Sequence, residues 1–364
     1  MQSLSCVLNQ EGIKTYWDDI DTDALSVFSK RIGFMYLPDR FGYLNQFSNW
    51  NLSGNTDIFP SSNSTDILHD LLMRRVMDIV QMYPNQVLNV LWSGGVDSTA
   101  IVLAFLVNNI PIKIYYTASS IDENPTFIDY SSNTYGNFTL HKLTMNEWIP
   151  TFKHLVAKEP VVTGFPADQL FGSIVNQHLG VPHDADWRIL FNTDAAIQQL
   201  EAGFEYYNLP VKTVSEFTWF VNFAGKWNIV KHIFPTVYAI PQGNTVSFFD
   251  TQYFQDWSVS NFDVLHKYSQ TEPENYKTEL KEFIFKYFPD KSYRLNKGKQ
   301  GSLGYACRYE QHAYDISTPW IAWVDGQETV HINQYPIEVP LDMVNDTKQV
   351  YMHKFLTAYR RNNG

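Results

Sequence analysis

The run Val87-Leu88-Asn89-Val90-Leu91-Trp92-Ser93-Gly94-Gly95-Val96-Asp97-Ser98 decides the fold. Its first six residues are a nearly continuous apolar stretch of strand length, the pattern of a central parallel strand covered on both faces. The strand runs straight into a glycine pair. A helical segment follows over 99–107, stopped by Asn108, Asn109 and Pro111, and residues 112–117 read as a second strand. This spacing makes a βαβ unit, whose crossover is right-handed in nearly all cases.

Working outward, residues 138–143 read as a third strand and residues from about 146 to 156 as a helix. Pro160-Val161-Val162-Thr163 is a short fourth strand that ends in the turn Gly164-Phe165-Pro166, with a helix starting at Ala167. Upstream, Leu68, Leu71, Leu72, Val76 and Ile79 recur at helical spacing after Ser64, a candidate N-cap, and the pattern ends before Pro84. The expected class is α/β, a doubly wound parallel sheet in strand order 3-2-1-4. Strands one and four then flank the topological switch point, and the loops that follow them face one pocket. The polar, turn-prone residues 51–64 mark a boundary. The expected division is a strand-and-turn segment over 1–62, the α/β domain with a helical C-terminal portion over 63–310, and an extension over 311–364. That extension opens with a hairpin over 320–332 turning at Asp325-Gly326. The aromatics Phe204, Tyr206, Tyr207, Phe217, Trp219, Phe220, Phe223 and Trp227 read as helical core.

The 364 residues are 18% charged and 16% aromatic, far from the composition of a disordered chain. Twenty-seven Lys and Arg stand against 38 Asp and Glu, a formal charge of −11 that repels phosphate backbones and anionic membranes. Duplex nucleic acid and membranes are therefore not expected partners, and an anionic ligand needs a local device. Cys6 and Cys307 are too few for a zinc cluster of ordinary spacing. Met1-Gln2-Ser3-Leu4-Ser5 lacks a basic flank and apolar stretch, and no apolar run is long enough to span a bilayer, so a cytoplasmic location is expected.

The turn Ser93 to Ser98 joins a buried strand to a helix, so successive backbone N–H groups and the positive helix end converge on one point. Such a nest suits phosphate. Gly94 and Gly95 leave no Cβ in the way of an anion, and Ser93 and Ser98 add hydroxyls. Asp97, an acid inside an anion site, makes sense if a cation sits between it and the phosphates. His183-Asp184-Ala185-Asp186 reads as a polar turn after Pro182 rather than a metal cluster.

Ser93-Gly94-Gly95-Val96-Asp97-Ser98 resembles the pyrophosphate loop of the N-type ATP pyrophosphatases, which cleave ATP between the α and β phosphates to make adenylates. Within that superfamily the chain is most similar to the synthetase domain of asparagine synthetase, β-lactam synthetase and lasso-peptide cyclase. Residues 116–125, with Glu123-Asn124, resemble the family's second strand and its loop near adenosine. Thr163-Gly164-Phe165-Pro166-Ala167-Asp168-Gln169-Leu170-Phe171-Gly172 resembles the string whose first Asp helps bind magnesium pyrophosphate. Val246-Ser247-Phe248-Phe249-Asp250 resembles a later Pro-Phe-Leu-Asp element, and a helix over 276–287 leads into a basic loop with Lys291, Arg294, Lys297 and Lys299. The resemblance covers about residues 60–305.

It implies an adenine nucleotide alpha hydrolase-like, Rossmann-like fold and an AMP-forming ligase that takes ATP, Mg²⁺ and small-molecule acid and amine substrates. On it, Leu91, Ser93, Gly94, Gly95, Val96, Asp97, Ser98, Thr117 and Gly164 bind the nucleotide, and Asp97 and Asp168 share the metal. Lys299, with Lys297 as the second choice, compensates charge on the α-phosphate and departing pyrophosphate, and Asp168 also counts among the catalytic groups. The departures are specific: the family's catalytic Glu is Phe165 here, its following Glu is Gln169, and Gln2 stands where a glutaminase has its cysteine. Nitrogen is then expected from an amine, or from ammonia made elsewhere; a homodimer is left open. Two rivals remain, a nucleobase-modifying relative similar to the 7-cyano-7-deazaguanine synthases, which lacks here its zinc-binding cysteines, and an inactive nucleotide-binding module.

Overall fold

The structure is a computed structural model that describes residues 5–8, 50–53, 60–172, 181–190, 194–225, 227, 230, 244–268, 275–298, 321–325 and 329–333. In chain order its main elements begin with β1 (Ser5–Leu8), β2 (Trp50–Ser53), α1 (Leu68–Met82), β3 (Leu88–Leu91), α2 (Val96–Val107) and β4 (Ile112–Tyr116). Next come α3 (Ala118–Glu123), α4 (Phe127–Thr134), β5 (Phe138–Lys142), α5 (Met145–Lys158), β6 (Val161–Thr163) and α6 (Ala167–Leu170). The remainder are α7 (Asp194–Tyr206), α8 (Val214–Phe220), β7 (Thr245–Ser247), α9 (Gln252–Ser260), α10 (Phe262–Tyr268), α11 (Thr278–Tyr287), α12 (Lys291–Asn296), β8 (Ile321–Asp325) and β9 (Thr329–Asn333).

The chain divides into two compact units, one of Met1–Phe59, Val175–Ala239 and Tyr314–Gly364, the other of Pro60–Ile174 and Ile240–Ala313. Both are discontinuous in sequence, unlike the consecutive segments 1–62, 63–310 and 311–364. Residues 175–239, expected inside the α/β domain, cluster instead with the two termini. In that unit β1, β2, β8 and β9 form one antiparallel sheet of order β2-β1-β9-β8. The expected hairpin is there, pairing Ile321 with Asn333 and Asp325 with Thr329. Phe204, Tyr207, Phe217, Trp219, Phe220, Phe223 and Trp227 are buried, as read from their spacing, whereas Tyr206 lies on the exposed side of α7. His183 to Asp186 is a turn, with Asp186 paired to Arg188 at 2.8 Å.

The second unit carries a five-stranded, all-parallel sheet of order β5-β4-β3-β6-β7 with helices around it, an α/β architecture. By sequence position this is the expected 3-2-1-4 order, extended by β7 from the Val246-Ser247 element. In the middle strand Val90 lies beside Ile114 on one side and Val162 on the other. Strand β3 is buried along its whole length because it has neighbours on both edges and helices on its faces. Asn89 interrupts its apolar run and is half satisfied there: its amide N–H groups donate to Pro160 O and Glu159 Oε2, both at 3.0 Å, while its buried Oδ1 has no hydrogen-bond partner.

Three helix starts differ from the sequence reading. Ser64 does not cap α1; its hydroxyl donates to Asp66 Oδ2 at 3.0 Å and the helix starts at Leu68. Helix α11 starts at Thr278, two residues later than expected, leaving Tyr276 and Lys277 ahead of it. Helix α2 starts at Val96, three residues early, so Val96, Asp97 and Ser98 form its first turn. Residues Ala100 to Leu106 of α2 are all buried, and this helix packs against α1 and α11 as well as the sheet. Helix α1 adds Leu71, Leu72, Val76 and Ile79 to the core.

Buried Arg75 of α1 ties that helix to the end of β7, donating to Phe248 O at 2.8 Å and Ser247 O at 3.0 Å. Burial pulls its guanidinium pKa down, against the nearby Tyr253, Asp78 and Asp250. Arg75→Leu takes the guanidinium donor from the buried Phe248 carbonyl, while Ser247 O keeps the N–H of Asp250 at 3.3 Å, and should cost about 1–3 kcal/mol. A lower urea midpoint with an unchanged slope would show it.

Candidate functional site

The C-terminal ends of β3, β4 and β6 carry three turns to one edge of the sheet, the edge where open parallel sheets bind ligands. Trp92, just past β3, fixes the first turn: its N–H donates to Tyr115 O at 2.9 Å and its indole to Thr99 Oγ1 at 3.0 Å. Ser120 Oγ donates to Trp92 O at 2.9 Å, bringing α3 over the turn. Gly94 is then forced on the sequence. It has φ +80°, and a Cβ there would collide with Ser120 O and stand 2.7 Å from Glu123 Cβ. Both glycines thus make room for protein as well as for a ligand: a Cβ on Gly95 would stand 3.2 Å from Ser93 Oγ and 3.5 Å from Glu123 Oε2.

The two serines staple the turn. Gly95 N donates to Ser93 Oγ, Ser93 N donates to Ser98 Oγ, and the two hydroxyls are 3.0 Å apart. Ser98 donates to Gly95 O at 3.2 Å, which leaves the Ser93 hydroxyl to donate to Ser98. Gly95 is the N-cap of α2 and provides no capping side chain. First-turn N–H groups have no partner inside a helix, so those of Val96, Asp97 and Ser98 face the turn with the positive helix end behind them.

The β6 turn meets this helix start directly. Gly164 is so close that a Cβ would lie 3.2 Å from Asp97 Cβ and 3.8 Å from Ser98 N. Four residues on, Asp168 in α6 comes beside Asp97, and the two carboxylates share one ammonium. Lys277 Nζ lies 2.5 Å from Asp97 Oδ1 and 2.6 Å from Asp168 Oδ1. Lys277 is 1% exposed, while Asp97 and Asp168 are 25% and 26% exposed, so the cation is the floor of the cluster and the carboxylates are its open side. Burial lowers the Lys277 pKa, but the charges of Asp168 and Asp97 outweigh it and the net direction is up. Lys277 has φ 50° and ψ 48°, a left-handed conformation rare for a residue with a Cβ. The preceding residue, Tyr276, donates its hydroxyl to Asp168 Oδ1 at 3.1 Å. Burial, with Asp168 and Asp97 nearby, pushes that phenol well above its usual range, so it remains a donor.

The structure therefore brings Ser93, Gly94, Gly95, Val96, Asp97, Ser98, Gly164 and Asp168 together. Leu91 ends β3 and is buried, so its backbone alone is available. Thr117 is buried with its hydroxyl 2.7 Å from Ser119 Oγ, a local contact that holds the start of α3. Phe165 is half-buried in the β6 turn. The basic stretch is not the expected loop over its first part: Asp290 Oδ1 caps the helix Lys291–Asn296 by accepting from Tyr293 N at 2.9 Å. Lys297 just beyond it is buried and pairs with Glu123 Oε2 at 2.9 Å, the carboxylate beside Gly95. Lys299 lies outside the described residues.

Lys277, Tyr276 and Tyr293 were missed in the sequence, where no spacing links residues 276–293 to residues 94–99. Buried Tyr293 of α12 donates to Gly94 O at 3.1 Å and has Thr99 Oγ1 at 3.4 Å. Tyr293→Phe should cost about 1 kcal/mol of stability. Because the lost bond holds the turn, affinity for a ligand of the turn should fall as well, which a binding titration of the two proteins measures.

Among the described residues, no group of three or more His, Cys, Asp and Glu side chains is placed to hold a metal ion. No described helix is long and apolar enough to cross a membrane. The buried Thr163 Oγ1, at the end of β6, and Gln169 Oε1, next to Asp168, have no hydrogen-bond partner. No protein-family model and no curated protein matches this chain.

Proposed function

We propose that this edge of the parallel sheet binds ATP with Mg²⁺, in an AMP-forming ligase of the asparagine synthetase-like, N-type ATP pyrophosphatase kind. The observation that carries the reading is the convergence of Asp97 and Asp168 from two neighbouring strand ends beside the uncapped N-terminus of α2. A carboxylate pair suits a magnesium ion whose other oxygens come from phosphates and water, since Mg²⁺ is ordinarily held by one or two carboxylates plus substrate phosphates. The uncapped N–H groups and the orphan Thr163 hydroxyl fit an anion on the same edge.

When bound, ATP supplies an electrophilic α-phosphorus, and Mg²⁺ supplies charge for the β and γ phosphates. The chain's own part is positional and electrostatic. The N–H groups of Val96, Asp97 and Ser98 would hold the phosphates that leave together, and Asp97 and Asp168 would hold the metal. Lys299, or Lys297 if its pair with Glu123 opens, offsets negative charge at the reacting phosphate. An acid substrate oxygen takes AMP, and a nitrogen nucleophile then displaces it. With Phe165 in the place of the family's Glu, a nucleophile already neutral near pH 7 suits the second step, because it requires no base there.

Incubating the full chain with ATP, Mg²⁺ and a metabolite extract should yield AMP, pyrophosphate and a new adenylate or amide by mass spectrometry. ADP and orthophosphate as main products would overturn the reading. Phe165 favours one second reading, a nucleotide-binding module without turnover; ATP bound but unconsumed with every extract would select it.

A further inference from the structure

We infer that Lys277 is a fixed counter-charge that closes the Asp97–Asp168 pair to free divalent cations and admits a divalent cation only together with polyphosphate oxygens. The inference rests on the nucleotide reading above and adds an order to it: metal and nucleotide enter as one complex. It starts from the placement of the ammonium, which is buried against two carboxylates whose side chains are a quarter exposed. The trio carries one net negative charge instead of two. A divalent ion approaching from the open side meets both carboxylates and, just behind them, a like charge. A carboxylate accepts at several lone-pair sites and a quarter of each side chain is exposed, so an ion can reach the pair from that side, while the ammonium makes the local charge less favourable to it than two carboxylates alone would. Phosphate oxygens held at the start of α2 restore the missing negative charge and complete the oxygen shell.

Lys277 is unsuited to being a plug that moves aside. Its ammonium is enclosed by the rings of Tyr276, 5.1 Å away, and Phe171, 6.0 Å away, and its side chain is 1% exposed. Withdrawn from the carboxylates it would be a buried charge against aromatic rings alone, a costly state. Its left-handed backbone at the start of α11 fixes where the side chain departs. Tyr276, from the same segment, donates to Asp168 and fixes that carboxylate too.

The test follows Mn²⁺, as the probe ion, by the loss of its free paramagnetic resonance signal on titration with the whole chain. The wild type should take up little Mn²⁺ alone and take it up readily when α,β-methylene-ATP is added. Lys277→Met should bind Mn²⁺ without nucleotide about tenfold or more tighter than the wild type, because the pair regains its full charge. Lys277→Arg keeps the charge and should behave as the wild type. Wild-type chain that binds Mn²⁺ alone as tightly as with the nucleotide analogue overturns the inference, whether or not the Met variant folds. A folded Met variant that gains no Mn²⁺ binding also overturns it. If the wild type binds neither Mn²⁺ nor the analogue while Lys277→Met gains Mn²⁺, the counter-charge role stands and the nucleotide reading falls.

Discussion

Asp168→Asn should lower AMP formation by about 10²–10³-fold, the usual loss when one preorganised electrostatic group is removed from a reacting centre. Asp97→Asn should do the same. Each change removes half of the carboxylate pair assigned to the metal and leaves Lys277 with one charged neighbour, so the residual site has no net negative charge to hold a cation. The fold should survive, because an Asn amide oxygen still accepts from the Lys277 ammonium and, at 168, from the Tyr276 hydroxyl, which now reaches Asp168 at 3.1 Å. A stability loss of about 1–3 kcal/mol is expected from trading a charged for a neutral acceptor. Product formation and a denaturation curve on the same preparation separate the two effects. Full activity in a folded Asp168→Asn chain would remove Asp168 from the reaction.

The second large effect belongs to Gly94. Gly94→Ala should destabilise the chain by about 2–5 kcal/mol, combining a left-handed residue with a Cβ and an overpacked contact. The obstacle is backbone: the added methyl would strike Ser120 O, which cannot rotate away, and Ser120 is itself held by its hydroxyl on Trp92 O. Gly95→Ala is the contrast. Gly95 has φ −72° and ψ 166°, ordinary extended backbone, and the nearest atom to its Cβ would be Ser93 Oγ at 3.2 Å. It should cost below about 1 kcal/mol. Equal thermal midpoints for the two variants would show that the turn is looser than its contacts imply.

The same residues explain how much was readable in the sequence. The strand-glycine-helix run announced the parallel sheet because β3 is almost wholly apolar where neighbours and helices cover it, and the order of β3, β4, β5 and β6 is the one expected once the sheet is read as doubly wound, with handedness fixing only the side of each crossover. The turns that carry Asp97 and Asp168 were legible as neighbours from the strand order, whereas Asp168 as the partner of Asp97 came from the family resemblance. Lys277 was not legible. It comes from an irregular segment 180 residues beyond Asp97 in sequence, and nothing in Tyr276-Lys277-Thr278 marks a left-handed lysine under an acid pair. The glycines were half understood: an open approach for an anion was readable, but the approach of α3 depends on Ser120 and Glu123, more than 20 residues away. Lys297 looked like part of a solvated or catalytic loop, since spacing cannot show that Glu123 neutralises it. The pairing of β1 with β9 across the chain escaped because strands far apart in sequence pair without a local signal.

The central claim, a nucleotide held by the turn between β3 and α2, is tested most directly by a crystal structure of the full chain with α,β-methylene-ATP and Mg²⁺. The account places the β and γ phosphates against the N–H groups of residues 96–98, with the metal between Asp97 and Asp168 and Lys277 still beneath the pair. A nucleotide bound elsewhere, or phosphates turned away from the start of α2, would contradict it.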